Sequence, residues 1–396
     1  MSAQSLRHWF FDRRLRFNRH ELSGAFGDLG TDLPLIVGMV LVSGINASWA
    51  FFCFGLFQIA SAVVYGIPMP VQPLKAVAIL VITQQIAPPV ISGGAMAIAV
   101  IMLVLTISGS INGLAKLIPG PVIRGIQFGL GVKLAMLALG KYIPSDGLSG
   151  YVLAGVCVMV IVMVLRHRRF PATVVVLFIG ALYAFVLGGH PIASLSGAAS
   201  TVIPSFSLPN WPDVWMGFML LALPQIPLSM GNSLLATKQL ADDWFPERQI
   251  PLRRIGMTYS LFNALAAVFG GIPVCHGSGG MAGHYVFGAR TGGSLVIYGL
   301  FNIALGAACA LGFTNITGLF PLPVLGVILF VESLTLMARL KELIGNRTDL
   351  TIALVVGLIA AGLPNGFLIG MIVGGILSAV CRQIKNMNTV PESIEL

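Results

Sequence analysis

Two interrupted apolar stretches hold the residues whose types and spacing could do chemistry. The first covers residues 66–75 and reads Gly-Ile-Pro-Met-Pro-Val-Gln-Pro-Leu-Lys; the second covers residues 271–278 and reads Gly-Ile-Pro-Val-Cys-His-Gly-Ser. Proline and glycine inside an apolar stretch leave backbone polar groups unpaired, which a membrane tolerates only where protein or a watery cavity satisfies them. Two such breaks in corresponding halves of a chain are typical of a transporter's substrate site.

The spacing of proline and glycine predicts a helix that begins inside each break. Pro68, Pro70 and Pro73 hold the first stretch extended, and Pro73 suits the first position of a helix running to about residue 87. Glycines around residue 278 precede a second helical run toward residue 290. Each helix N-terminus carries roughly half a positive charge, so two that meet near the bilayer midplane favour an anion between them. The predicted substrate-binding residues are Gln72, Lys75, His276, Gly277, Ser278 and Gly279.

These side chains also have structural interpretations, which the sequence leaves open. Lys75 lies in the first turn of its helix, where the helix dipole disfavours a cation. Either a bound anion or a permanent ion pair with an aspartate of the first apolar segment would relieve that penalty. Gln72 and Ser278 either contact the ligand or cap helix ends. His276 either donates to an anion and senses pH, or is a hydrogen-bonded packing group.

Three carboxylates lie within apolar segments. Asp28 and Asp32 are four positions apart, hence on one face if their helix is regular, and Glu332 lies near the end of a later segment. Buried carboxylates suggest proton carriers or partners for the lysine of the first break, and Asp28 could instead cap an unwound turn. Arg124 and Lys133 could line a gate or pair with Glu332.

Composition fixes the class of protein. Of 396 residues, 56% are hydrophobic and 9% are charged, and the mean hydropathy is +0.91; soluble domains carry about 25% charged residues. The chain is therefore predicted to be an integral membrane protein. The net charge of +9 does not indicate nucleic-acid binding, because no basic stripe interleaved with aromatics accompanies it. The five cysteines lack CxxC spacing and no HExxH motif occurs, so the sequence predicts neither enzyme, cofactor nor metal site.

Hydropathy and charge predict the organisation of the chain. Apolar blocks fall into seven before and seven after a polar break, and most Lys and Arg lie in connections that the positive-inside rule assigns to the cytoplasm, as it does both termini. An odd number of segments in each half makes similar halves an inverted repeat. Residues 119–125 (Pro-Gly-Pro-Val-Ile-Arg-Gly) and 321–326 (Pro-Leu-Pro-Val-Leu-Gly) match nearly in register with the two breaks. The predicted units are a tail 1–22, a first repeat 23–189, an external connection 190–212, a second repeat 213–382 and a tail 383–396.

Four runs of residues resemble signature stretches of the molybdate transporter family within the sulfate permease superfamily. They are Gly-Asp-Leu-Gly-Thr at 27–31, Pro-Met-Pro-Val-Gln-Pro-Leu-Lys at 68–75, Pro-Val-Cys-His-Gly-Ser-Gly-Gly at 273–280 and Phe-Gly-Ala-Arg-Thr-Gly at 287–292. The resemblance implies an all-α protein of about fourteen segments in a 7+7 inverted repeat, like that of uracil and sulfate permeases. A core domain (23–110 and 213–312) would move against a gate domain (119–189 and 318–382).

Two features depart from the wider superfamily. Sulfate permeases usually carry a soluble domain after the last membrane segment, and only about a dozen residues follow Arg382 here. The eighth segment, at residues 224–233, has no acidic residue, whereas related permeases often place a glutamate there. Any proton route must then differ, or coupling is absent.

The sequence as a whole predicts a secondary transporter that moves a tetrahedral oxyanion, molybdate or sulfate, across the cytoplasmic membrane by alternating access. Proton coupling and a homodimer are left open, and the expected partners are the oxyanion and the lipid bilayer, without nucleic acid. A passive anion channel of the same fold and a nucleobase permease are the alternative functions.

Overall fold

The structure, a computed structural model, describes residues 15–111, 113, 119–164, 171–186, 206–311 and 320–387. Within these ranges the first half contains eight α-helices: α1 (Arg19–Ala25), α2 (Leu29–Ser43), α3 (Ala47–Tyr65), α4 (Lys75–Gln84), α5 (Pro88–Ile107), α6 (Gly120–Leu137), α7 (Gly147–Val164) and α8 (Ala172–Val186). A π turn at Ala138–Tyr142 and a 3-10 turn at Ile143–Asp146 join α6 to α7.

The second half begins with a long helix, α9 (Trp211–Trp244), that contains π-helical stretches at Phe218–Ala222 and Ser229–Ala236. It is followed by α10 (Leu252–Phe269), α11 (Ser278–Val286), α12 (Gly293–Ala310), α13 (Leu322–Met337), α14 (Arg347–Gly362) and α15 (Gly366–Met387). Two short strands, β1 (Gln72–Pro73) and β2 (Val274–Cys275), precede α4 and α11. The predicted tail 1–22 and connection 190–212 lie largely outside the described residues.

The helices have the length and composition of membrane spans. Within the described ranges, seven helical segments are long and apolar enough to cross a bilayer, or eight if α1 and α2, bent by 40° at their junction, count as one span. The helices α4 and α8 are apolar but shorter. The predicted class, a mostly helical multi-pass membrane protein, is confirmed. The predicted number of fourteen segments stays a prediction.

Helix packing follows a paired pattern. Helix α3 packs along α12, α10 packs along α5, and α6 packs against α13 and α14. At the α3–α12 contact a Cβ added to Gly55 would lie 2.5 Å from the Gly299 carbonyl oxygen, and one added to Gly299 would lie 2.7 Å from the Gly55 carbonyl oxygen. Only glycine permits the two backbones to approach this closely. Such contact stabilises helix packing in a membrane, because helices in lipid associate through van der Waals contact and not through the hydrophobic effect.

Matching glycines end the helices that lead into the two breaks. Gly66 follows α3 and Gly270 follows α10, and each has a φ of 66°. This left-handed conformation favours glycine and stops the helix, because a side chain is strained there. The chain is thereby turned into the Ile-Pro sequence of each break.

One detail of the predicted helix start was wrong. The sequence placed Pro73 at the first position of a helix, but Pro73 belongs to β1 and α4 begins at Lys75. The reason lies in the tertiary structure: β1 pairs with β2, and the pairing of Pro73 with Val274 keeps Pro73 extended.

Candidate functional site

The two breaks meet at a short antiparallel strand pair. Gln72 lies opposite Cys275, and Pro73 lies opposite Val274. The Leu74 N–H donates to the Pro273 carbonyl oxygen at 3.0 Å. Since each strand contributes only two residues, this crossing satisfies only part of the backbone that the breaks leave without helical partners.

Two side-chain amides bond the backbone of one further residue in each break. On α3, Gln58 donates from Nε2 to the Val71 carbonyl oxygen at 2.7 Å and accepts from the Val71 N–H at 3.1 Å. On α10, Asn263 donates from Nδ2 to the Val274 carbonyl oxygen at 2.7 Å and accepts from the Val274 N–H at 3.0 Å. Both amides are fully buried. Each break is thus held by one amide clamp, meaning the pair of hydrogen bonds from one buried side-chain amide to the backbone of one valine.

Neither clamp was predicted from the sequence. A signal was present, because Gln58 and Asn263 are amides in otherwise apolar helices, each about two turns before the glycine that ends the helix. Buried amides in apolar helices find hydrogen-bond partners. Sequence gives no indication that the partner is a backbone unit of the next segment.

Helices α4 and α11 both begin directly after the crossing and both rest on α9. The Ala76 N–H, in the first turn of α4, donates to Gln225 Oε1 at 3.2 Å. The Ser278 hydroxyl, at the start of α11, donates to Asn232 Oδ1 at 2.8 Å. The two helix N-termini are therefore brought to one place, as the sequence predicted, with neutral amides of α9 beside them.

Lys75 forms an ion pair with Glu332 of α13. The hydroxyl of Thr31, on α2, donates to the other carboxylate oxygen of Glu332 at 3.4 Å. The side chains of Lys75 and Glu332 are 16% and 17% exposed, so neither is fully covered by the protein. The structure thus selects Glu332, rather than an aspartate of the first apolar segment, as the ion-pair partner of Lys75.

The two aspartates lie behind this ion pair, on the side of α1 and α2. Asp28, at the junction of α1 and α2, accepts from Gln72 Nε2 at 2.6 Å, and Asp32 accepts from the Tyr298 hydroxyl at 3.1 Å. Both side chains are buried. Asp28 Oδ2 and Asp32 Oδ1 have no hydrogen-bond partner among the described residues. This places three carboxylates and one lysine around the crossing.

The glycines of the second break have different surroundings. Gly279, in the first turn of α11, is exposed, and a Cβ added there would meet no atom within 4 Å. At Gly277 an added Cβ would overlap Gln72 Oε1. Gly277 therefore permits the close packing of the crossing, whereas Gly279 faces open space that a ligand's atoms could enter.

His276 is held away from this open space. Its Nδ1 contacts the Pro70 carbonyl oxygen at 3.1 Å, its Nε2 contacts the Thr258 hydroxyl at 2.8 Å, and the side chain is fully buried. Both ring nitrogens are thus engaged within the protein. Of the two interpretations that the sequence left open, this geometry matches the hydrogen-bonded packing group.

The two cations of α6 also lie apart from the crossing. Arg124 pairs with Glu342 and donates to Gln127 Oε1 at 2.9 Å. The Lys133 ammonium lies 5.3 Å from the centre of the Phe367 ring. The predicted alternative in which either cation pairs with Glu332 is wrong, because Lys75 holds that carboxylate.

The fold identifies a class of membrane protein. Two structures of SLC26A9, one of them the murine anion transporter in the inward-facing state, superpose with TM-scores of 0.64 and 0.69 at 15% and 16% identity. They cover 92% and 96% of this chain, which spans 65% and 71% of theirs. The transmembrane domain of the cyanobacterial bicarbonate transporter BicA gives a TM-score of 0.63 at 17% identity, covering 88% of this chain and 99% of that one. The chain has the fold of this class of transporters.

Sequence comparison identifies the family. The family described as "Molybdate transporter of MFS superfamily" matches residues 20–134 and 217–336. Molybdate transporter 2 of Arabidopsis thaliana is 30% identical over 87% of this chain and 84% of its own length. This chain belongs to the molybdate transporter family, as its signature stretches predicted. Its relatives are named as transporters and not as enzymes.

Proposed function

We propose that this protein carries a tetrahedral oxyanion across a membrane, with molybdate as the first candidate and sulfate as the second. One observation carries the proposal: two half-length helices begin at a common crossing, with Lys75 in the first turn of one and the exposed Gly279 in the first turn of the other. Helix N-termini attract anions through free N–H groups and the helix dipole. The names of the relatives favour molybdate.

The proposed contacts divide into those that bind and those that support. Lys75 supplies the positive charge, and the first-turn backbone of α11 around Gly279 supplies N–H donors at close range. Gln72, Gly277 and Ser278 hold the crossing in shape, since their described contacts are with other protein groups. His276 supports the same crossing through the hydrogen bonds to Pro70 and Thr258.

Alternating access of two inverted repeats is the proposed mechanism. Support comes from matched features in the two halves: the two amide clamps, the two helix-ending glycines, and the reciprocal packing of α3 on α12 and of α10 on α5. The proposed repeats are residues 23–189 and 213–382. The proposed core domain (23–110 and 213–312) contains both half-helices, and the proposed gate domain (119–189 and 318–382) contains Glu332.

Proton coupling through Asp28, Asp32 or Glu332 is part of the proposal. The hydrogen bonds from α9 to the first turns of the two half-helices come from neutral amides, Gln225 and Asn232. The carboxylates near the crossing come instead from α13 and from the start of α2. Intramembrane carboxylates of this kind are candidates for carrying protons.

The function is tested by molybdate binding and uptake with Lys75→Ala. A charged hydrogen bond contributes about 1.5–3 kcal/mol, so removing it should weaken molybdate binding by roughly ten- to a hundredfold. Lys133→Ala removes a lysine that lies over Phe367 and should bind like wild type. Titration of the purified protein with molybdate, sulfate and uracil measures affinity, and isotope uptake into proteoliposomes measures transport.

The alternatives have different outcomes. A carrier shows counterflow of labelled molybdate against unlabelled molybdate inside the vesicle, whereas a passive channel does not. Competition by uracil but not by oxyanions would identify a nucleobase permease. Equal molybdate affinity in folded Lys75→Ala and Lys133→Ala proteins would refute the site.

A further inference from the structure

The Lys75–Glu332 ion pair occupies the cation that the proposed substrate needs. Glu332 lies on α13, which also packs against α6, α7 and α2, whereas Lys75 begins α4 beside the strand crossing. The carboxylate is held from both sides, because Thr31 donates to its second oxygen. Lys75 therefore already has an anionic partner within the protein.

The charges around the crossing make a second anionic partner costly. Lys75 is the one cation among the described groups that contact Glu332, while the nearby charged groups on α1 and α2 are the carboxylates Asp28 and Asp32. An oxyanion that reached Lys75 with Glu332 still ionised would bring further negative charge to an ammonium that already has an anionic partner. Like charges at short range in a partly buried site repel strongly. Binding becomes favourable when one of the carboxylates is neutralised.

Position and accessibility single out Glu332 among the three. Asp28 and Asp32 are buried behind the ion pair, hydrogen-bonded to Gln72 and Tyr298. Glu332 is 17% exposed and its partner Lys75 is 16% exposed. Of the three carboxylates, Glu332 is therefore the one with exposed surface beside the ammonium of Lys75.

Resting on the proposed function, we propose that Glu332 takes the place of the substrate in the empty transporter, and that the oxyanion displaces it from Lys75 as Glu332 binds one proton. The exchange breaks the ion pair between the ammonium and the carboxylate and forms one between the ammonium and the oxyanion. The proton is released by the buffer in the bulk solution and stays on the Glu332 carboxyl group. Because the original pair joins α4 to α13, its release also frees the first half-helix from the helix of the proposed gate domain.

The test compares Glu332→Gln with Glu342→Gln. Glu342 lies just after α13, the helix of Glu332, and pairs with Arg124 and Arg339 away from the crossing. Glu342→Gln therefore controls for the loss of a paired carboxylate outside the proposed site. Molybdate affinity is measured by calorimetry from pH 6 to pH 8. The proton count comes from repeating each titration in two buffers of different ionisation enthalpy.

Wild type and Glu342→Gln should take up about one proton per molybdate, and their affinity should fall with rising pH by up to about tenfold per unit, the limit for one linked proton. Glu332→Gln should bind molybdate on the order of tenfold more tightly at pH 8, with no proton uptake and no pH dependence. Tighter binding is diagnostic, because loss of a residue that merely supports the site would weaken binding.

Weaker or unchanged binding by a folded Glu332→Gln protein, with proton uptake retained, would overturn the inference. If this variant does not fold, the wild-type proton count decides, since binding without proton uptake between pH 6 and pH 8 also overturns it. Failure of the proposed function is a separate result: the wild type would then give no molybdate binding at any pH.

Discussion

Replacing Gln58 by methionine tests whether the amide clamps hold the two breaks in place. The substitution keeps the length of the side chain and removes both hydrogen bonds to Val71, whose backbone is buried. A buried backbone group left without a partner costs about 1–3 kcal/mol, so the two groups together cost about 2–6 kcal/mol. The apolar methionine side chain offsets about 1 kcal/mol through its own burial. The expected loss in the free energy of unfolding is therefore about 1–5 kcal/mol.

The assay is reversible unfolding in mixed micelles by titration with sodium dodecyl sulfate, followed by circular dichroism. Gln84→Met is the matched control, because Gln84 is exposed at the end of α4 and should change the free energy of unfolding by less than about 0.5 kcal/mol. Asn263→Leu should destabilise by a similar amount to Gln58→Met, since it removes the equivalent pair of bonds to Val274. The reasoning is refuted if Gln58→Met is no less stable than Gln84→Met.

Two further substitutions examine the crossing itself. Gly279→Val places a branched side chain in the open space beside the first turn of α11, so molybdate affinity should fall at least about tenfold. The control is Gly155→Val, at a glycine that also faces open space, and both variants should give the same amount of folded protein. Normal molybdate affinity in Gly279→Val would show that the anion does not approach this glycine. Asp28→Asn tests whether Asp28, instead of Glu332, carries the proposed proton. If it does, the variant loses molybdate uptake driven by a pH gradient but still exchanges labelled for unlabelled molybdate. Full pH-driven uptake by the variant would leave Asp28 as a structural partner of Gln72.

The sequence alone predicted the elements of the site better than their contacts. The proline spacing in residues 66–75 and the glycines around Ser278 correctly indicated two extended segments followed by short helices. These features are local, because proline fixes φ and glycine permits conformations that other residues avoid. The start of α4 was placed too early, at Pro73, since strand pairing with Val274 is not a local property.

The interpretation of individual side chains depended on distant partners. Lys75 was expected to bind an anion or to pair with one of three carboxylates, and the structure pairs it with Glu332, on a helix from the other half of the chain. His276 could have faced the ligand, yet it is bonded to Pro70 and Thr258. The same local sequence allows a side chain either to face the ligand or to bond within the protein, because successive side chains of an extended segment point to opposite sides. Only the segments packed around it determine which of the two sides is exposed.

What the sequence determined by itself was the membrane class, the family and the place of the two breaks, because hydropathy, proline and glycine act on the chain locally. What only the tertiary structure decided was how the breaks are satisfied and how the charges are paired. The Gln58 and Asn263 clamps and the Lys75–Glu332 ion pair each bring together groups from different segments. Their formation reflects the cost of leaving buried polar groups and charges unpaired, and that cost is set by packing across the whole protein.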